Sequence, residues 1–227
     1  MAVPGLFITG TDTNVGKTYV TALIAKQLIA TGKRVGVYKP AASGCVGDES
    51  DDPFVLWQAA GRPATMADVC PQRFTAPLAP HLAARAEGKE VDVERLRAGL
   101  DFWRQHSDVI LVEGLGGLMS PVSDDEYVAD LAHDFRFPLI IVAPNALGVI
   151  NQTLQTLITA STFRDGLDVA GIVLNHRPAA RGANDVSTHS NVSELAARCI
   201  APILATVDTE FDRTVDWMEL ARREPAR

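Results

Sequence analysis

Short apolar runs alternate with amphipathic stretches along this chain, and that rhythm predicts its elements. Leu6-Phe7-Ile8-Thr9, Arg34 to Tyr38, Val109-Ile110-Leu111-Val112, Leu139-Ile140-Ile141-Val142, Val169 to Leu174 and Ile203 to Val207 read as strands. Lys17 to Ala30 places Val20, Leu23, Ile24 and Leu28 on one face, with Lys26 and Gln27 opposite, which is the helical period. Gly32 suits the end of that helix. Val93 to His106, Val149 to Phe163 and Val192 to Cys199 read as further helices. Asp52-Pro53 reads as a helix start, because proline is tolerated in a first turn. Near-continuous apolar strands separated by helices predict an α/β fold of three layers, a mostly parallel central sheet covered by helices. Ligands in such sheets sit beyond the carboxyl ends of the strands. That singles out the loops 10–18, 39–52, 113–117, 143–148 and the stretch from 175 onward.

Composition narrows the picture. A length of 227 residues suits a single domain spanning 1–227. Hydrophobic residues at 47% and charged ones at 22% are enough for a sizeable core and argue against disorder. The net charge of −7 and the lack of a dense basic run argue against a nucleic-acid partner. Cys45, Cys70 and Cys199 are odd in number and far apart, so free thiols in a reducing cytosol are expected. The five histidines show no metal-ligand spacing. The start Met1 to Gly5 does not read as a signal peptide. The longest apolar stretch, Pro138 to Ile150, is broken by Pro144 and Asn145 and too short to span a bilayer. A cytoplasmic protein with no membrane contact is the expectation.

The strongest chemical signal is Gly10-Thr11-Asp12-Thr13-Asn14-Val15-Gly16-Lys17-Thr18. It lies between a buried-type strand and an amphipathic helix, the setting of a P-loop. Thr11 stands where the strict motif has its first glycine. The physics survives that change: Gly16 lets backbone approach phosphate, and amides at the helix start point at the anion. Lys17 is suited to neutralise β- and γ-phosphate oxygens, and the Thr18 hydroxyl to ligate Mg²⁺. A P-loop NTPase-like sheet binding ATP is therefore expected.

Glu113 follows the apolar run 109–112, where a P-loop protein places its second acid, and Gly114, Gly116 and Gly117 would let a ligand approach the chain. Asp52 is the best third carboxylate, with Asp51 beside it leaving the choice open. Lys39 ends the second strand, which the pattern puts beside the P-loop strand; a lysine there would stabilise charge on a transferred phosphoryl group. Ser43 is suited to bond a small polar substrate. Residues 41–53 read as a mobile loop, and Trp217, Met218 and Leu220 as a short helix docked on the body.

Together these segments resemble the dethiobiotin synthetase family. They are the loop 10–18, Tyr38-Lys39-Pro40-Ala41-Ala42-Ser43-Gly44, Val112-Glu113-Gly114-Leu115-Gly116-Gly117, Leu147-Gly148-Val149-Ile150-Asn151 and Asn175, in family order across nearly the whole chain. The resemblance implies an ATP-dependent cyclo-ligase of biotin biosynthesis. One amine of 7,8-diaminopelargonic acid takes up CO₂ as a carbamate, ATP phosphorylates it, and the second amine closes the ureido ring. It implies Lys17 and Lys39 as catalytic groups. It implies an ATP site of Thr13, Asn14, Val15, Gly16, Lys17, Thr18, Asp52, Glu113, Gly114, Leu115, Gly116, Asn175 and His176, with Asn175 reading the adenine edge. Thr13, Ser43, Gly148, Val149 and Asn151 would contact the diamine, and Thr18, Asp52 and Glu113 would hold Mg²⁺. A homodimer is implied, in which the helix start at 148–151 receives the carboxylate of the neighbour's substrate. This chain departs from the family at Asn14, often a glutamate there, and at Ala205 to Thr209, which replaces a Gly-x-Ile-Pro turn. No tyrosine stands near Asn191. Three other readings compete, one of them a catalytically dead nucleotide-binding module, against which the intact Lys17, Lys39 and Glu113 argue. A related amidoligase would need a glutaminase domain that 227 residues do not hold. A switch or partitioning ATPase acting by nucleotide-dependent dimerisation carries an extra lysine early in its loop, and positions 11–15 have none.

Overall fold

A computed structural model describes residues 2–176 and 185–223. Its centre is a six-stranded, wholly parallel sheet with the order β2-β5-β1-β6-β7-β8. The strands are β1 (Gly5–Gly10), β2 (Val35–Tyr38), β5 (Val109–Gly117), β6 (Leu139–Pro144), β7 (Val169–Asn175) and β8 (Ile203–Val207). Every residue of β1 and β2 is buried, so these strands are covered on both faces, as their unbroken apolar character requires. A second, two-stranded sheet pairs β3 (Ala41–Ala42) with β4 (Gln72–Arg73).

The helices expected from periodicity are present: α1 (Lys17–Ala30), α2 (Asp52–Ala59), α5 (Val93–His106), α7 (Val149–Thr162) and α8 (Asn191–Ala196). The last ends three residues before Cys199. Three more, α3 (Met66–Val69), α4 (Pro80–Ala86) and α6 (Val128–Phe135), fall in stretches whose pattern carried no prediction. The docked C-terminal helix is α9 (Trp217–Ala221); its Trp217 is buried and donates from Nε1 to Gln27 on α1 at 2.6 Å. All three cysteines are free thiols. Among the described residues no helix is long and apolar enough to cross a membrane.

Three expectations are corrected. First, β2 does not lie beside β1, because β5 is inserted between them and pairs with both. The apolar runs are equally suited to any central position, so their order is decided by packing rather than by local pattern. Second, Glu113 does not follow its strand but lies within it: β5 continues to Gly117, with Ile8 facing Glu113 and Gly10 facing Gly117 across an irregularity in register. A Cβ at Gly117 would come 3.3 Å from the Gly10 carbonyl oxygen, so glycine permits this continuation. Third, the stretch after Pro40 is not wholly loop. It opens with β3, and its remainder is tied by Asp51, whose carboxylate accepts from the amides of Val46 and Gly47, each at 2.9 Å.

The strand order sets the site. The chain leaves β1 toward β2 on one side and later enters β6 on the other, so β1 lies at the switch in direction where α/β sheets open a crevice. The carboxyl ends of β2, β5 and β1 therefore converge on the loop that begins at Gly10.

Candidate active site

The loop after β1 turns through two left-handed residues. Asn14 has φ 60°, a conformation asparagine tolerates better than most residues, and Gly16 has φ 95° as the residue capping α1. Glycine is needed at position 16 for a second reason: a Cβ there would lie 2.0 Å from Nδ2 of Asn175. That Asn175 amide, buried at the end of β7, donates to the Val15 carbonyl at 2.9 Å and braces the loop from the opposite strand. No acidic residue occupies the first turn of α1, so its amides face the cleft without competition from a carboxylate.

Lys17 is buried, with Nζ donating to the Asp12 carbonyl at 3.0 Å. Burial, followed by the nearby Lys39 charge, lowers its pKa to about 8. Lys39, at the end of β2, is 3% exposed. Its ammonium lies 2.5 Å from Glu113 Oε1 and 3.1 Å from Asp52 Oδ2. Burial opposes its charge, but the two carboxylates outweigh burial and hold its pKa above the ordinary value. Asp52 is held below the usual carboxylate range: burial opposes this, and Lys39 with a Thr18 hydrogen bond outweighs it. Thr18 also donates from Oγ1 to Glu113 Oε1 at 2.8 Å. Glu113 is fully buried, and its other oxygen, Oε2, has no hydrogen-bond partner among the described residues. Buried polar atoms are normally satisfied, so Oε2 has acceptor capacity left for a water or a ligand.

These groups open on a cleft of about 840 Å³. Thr13, Asn14, Gly16, Lys17, Thr18, Lys39, Ser43, Asp52, Leu115 and Gly116 line it, so most of the sequence candidates are brought together. Asp52, not Asp51, reaches the cluster, because Asp51 is committed to the amides of Val46 and Gly47. Val15 is buried behind the loop, and Gly114 packs against Phe7 and Val128. Asn175 touches the loop from behind. Its neighbour His176 is exposed and joins β8 through a backbone bond to Val207. Gly148, Val149 and Asn151 do not line the cleft of their own chain; they form the start of α7.

Sequence reasoning missed the far wall of the cleft, Pro77-Leu78-Ala79-Pro80, together with Tyr19, Ser120 and Pro121. The paired prolines were a usable signal. They stiffen an extended segment and set Pro80 in the first turn of α4. Tyr19 donates to the carbonyls of Asp208 and Thr209, tying α1 to the segment after β8.

The donor set of Thr18, Asp52 and Glu113 is a hydroxyl and two carboxylates, all hard oxygens. One or two carboxylates with a hydroxyl, completed by phosphate and water, is the usual provision for Mg²⁺. Glu113 offers such an ion its carboxylate, whose Oε1 is shared with Lys39 and Thr18. The residues present fit the metal.

Comparison with known proteins agrees with this geometry. A family model described as an AAA domain matches residues 4–213. The ATP-dependent dethiobiotin synthetase of Rhodopirellula baltica is 44% identical over 216 residues, covering 88% of this chain and 82% of the relative. Those of Anaeromyxobacter dehalogenans and Bacillus subtilis are 40% identical over 208 residues and 35% over 201. They cover 92% and 88% of this chain, and 91% and 85% of their own. Among solved structures, a ParA family ATPase from Chlorobium tepidum superposes with a TM-score of 0.53 at 15% identity, covering 92% of this chain and 86% of that one. At that identity it shows the fold alone, whereas the three synthetases match along nearly the whole chain: the protein belongs to the ATP-dependent dethiobiotin synthetase family.

Proposed function

We propose that the cleft carries out the reaction named for the family: carboxylation of 7,8-diaminopelargonic acid by CO₂, phosphorylation of the carbamate by ATP, and ring closure to dethiobiotin. The whole chain acts as one catalytic domain in this reading. The observation that carries it is the meeting of Lys39 with Glu113 and Asp52 beside Lys17, at the edge of the phosphate loop.

A carbamate is a poor electrophile, because its carbon is flanked by donor atoms and a negative charge. Transfer of the γ-phosphoryl group to a carbamate oxygen forms an O–P bond and releases ADP. The second amine then attacks the carbonyl carbon, loses a proton and expels inorganic phosphate. Phosphoryl transfer demands placement and charge neutralisation more than covalent help from protein. The amides at the start of α1 and Lys17 hold the phosphates. Lys39, which lines the cleft, would offset charge shared between the γ-phosphate and the carbamate. Thr13 and Ser43 line the cleft as hydrogen-bonding partners for the diamine or its carbamate. Thr18, Asp52 and Glu113 would hold Mg²⁺, which supplies further charge neutralisation on the phosphates. Asn175 Oδ1 is buried without a partner among the described residues, an acceptor suited to an exocyclic amine of adenine, with His176 beside it.

The start of α7 stands outside this chain's cleft, which supports a homodimer whose partner offers Gly148, Val149 and Asn151 to the substrate carboxylate. A cytoplasmic location goes with this chemistry and with the free thiols.

Incubation with Mg-ATP, bicarbonate and the diamine is expected to release phosphate and dethiobiotin in equal amounts, followed by a phosphate assay and mass spectrometry. Phosphate release that ignores the diamine would instead support a switch ATPase. Lys39→Ala is expected to lower turnover by about a hundredfold or more, in line with losing one transition-state donor, and to leave most nucleotide affinity intact.

A further inference from the structure

The Lys39 ammonium lies between the two carboxylates of the metal-type set. Glu113 Oε1 lies 2.5 Å from it and Asp52 Oδ2 3.1 Å, while Thr18 Oγ1 donates to that same Glu113 oxygen. An ammonium and a divalent cation cannot both sit between Glu113 Oε1 and Asp52 Oδ2. We propose that Lys39 serves as the resident cation of the nucleotide-free pocket, holding Glu113 and Asp52 together until a divalent ion displaces it toward the cleft.

Electrostatics gives the device its purpose. Glu113 is fully buried, and a buried carboxylate without a counter-charge is costly. Asp52, on a different element, adds a second negative charge nearby. Lys39 bonds both and offsets one of the two negative charges, so the carboxylates stay together without a metal. A divalent ion entering alone must evict the ammonium, which leaves two lysines, 17 and 39, facing an empty cleft. A triphosphate entering with the ion gives both lysines an anion. Metal, nucleotide and the placement of Lys39 are thereby coupled: the ammonium is released onto the phosphate only when another cation takes over its carboxylates. Lys39 lines the cleft in the present arrangement, so the motion required is a rotation of its side chain and not of β2.

This inference rests on Thr18, Asp52 and Glu113 being the metal set, and the test separates the two ideas. Mn²⁺ binding is measured by electron paramagnetic resonance on the full chain without nucleotide, for wild type, Lys39→Met and Lys39→Gln. Removing the ammonium vacates the site, so both variants are expected to bind Mn²⁺ on the order of tenfold more tightly than wild type. Addition of Mn²⁺ is also expected to raise the melting temperature of the variants more than that of wild type, by occupying a site the unfolded chain lacks. Lys39→Gln keeps a donor for Glu113 and guards against misfolding of the methionine variant. Wild type with ADP, compared with Glu113→Gln with ADP, tests the metal set itself. If that pair binds Mn²⁺ alike, the metal assignment falls and the inference with it. If Glu113→Gln loses Mn²⁺ but neither Lys39 variant gains it without nucleotide, the metal assignment stands and the resident-cation role of Lys39 is overturned.

Discussion

The two sides of the phosphate loop are held by opposite means. Toward β2 and β5 the contacts are ionic and deeply buried: Lys39 joins Glu113 and Asp52. Toward β7 and α8 they are mostly neutral amide bonds: Asn175 to the Val15 carbonyl, and Asn191, itself buried, to Asn145 Oδ1 at 2.9 Å. Asp185 adds a carboxylate there, but it accepts from a backbone amide, that of Leu147 at 2.8 Å. The difference teaches a division of labour. In the proposed function, movable cations would serve charge that develops during phosphoryl transfer, and the carboxylates would hold them when no ligand is bound. Directional amides fix backbone, which suits a site that recognises a base or a carboxylate and changes no charge.

The sharpest way to break the comparison is on the ionic side. Glu113→Ala leaves Lys39 buried with only the half-exposed Asp52, and breaking a buried pair in this way costs about 3–5 kcal/mol. Urea unfolding of the nucleotide-free protein should show that loss, and Asp52→Ala a much smaller one. Equal, small losses would mean that the buried pair is not what holds this side. A smaller effect is expected where the two sides meet. Gly16→Ala adds a Cβ against Asn175 in a left-handed turn. It should weaken Mg-ATP binding by roughly tenfold, ~1.4 kcal/mol, measured by calorimetry. The smallest effect belongs to the amide side. Asn191→Ala removes a neutral hydrogen bond and should cost about 1 kcal/mol in stability. In steady-state assays it should raise KM for the diamine with little change in kcat, since no charge that develops in the reaction is touched. A large fall in kcat would erase the proposed division.

Much of the scaffold was legible because its signals are local. The apolar runs at 6–9, 109–112, 139–142 and 169–174 all became strands, and the stretches 17–30, 93–106 and 149–163 gave helices, the last ending one residue early. What escaped had weak or short signals. The seven residues of α4 are alanine-rich with little contrast between faces, and β3 with β4 are pairs of residues stabilised by one another across 31 positions of chain. The cleft wall at Pro77 to Pro80 carries no ionisable side chain, so nothing in its chemistry announced a role; folding it across from Ser43 did.

By itself, the amino-acid order determined the phosphate loop and the family. Gly10 to Thr18 is contiguous, and a strand, a glycine turn and a helix start place its amides on one anion whatever the rest of the chain does. Only the tertiary structure decided that β5 would separate β2 from β1, that Glu113 would sit inside its strand, and that Asp52 rather than Asp51 would turn inward. Lys39 and Glu113 are 74 positions apart. Their meeting depends on which apolar strands pack side by side, a choice made by the whole core and encoded in no short stretch.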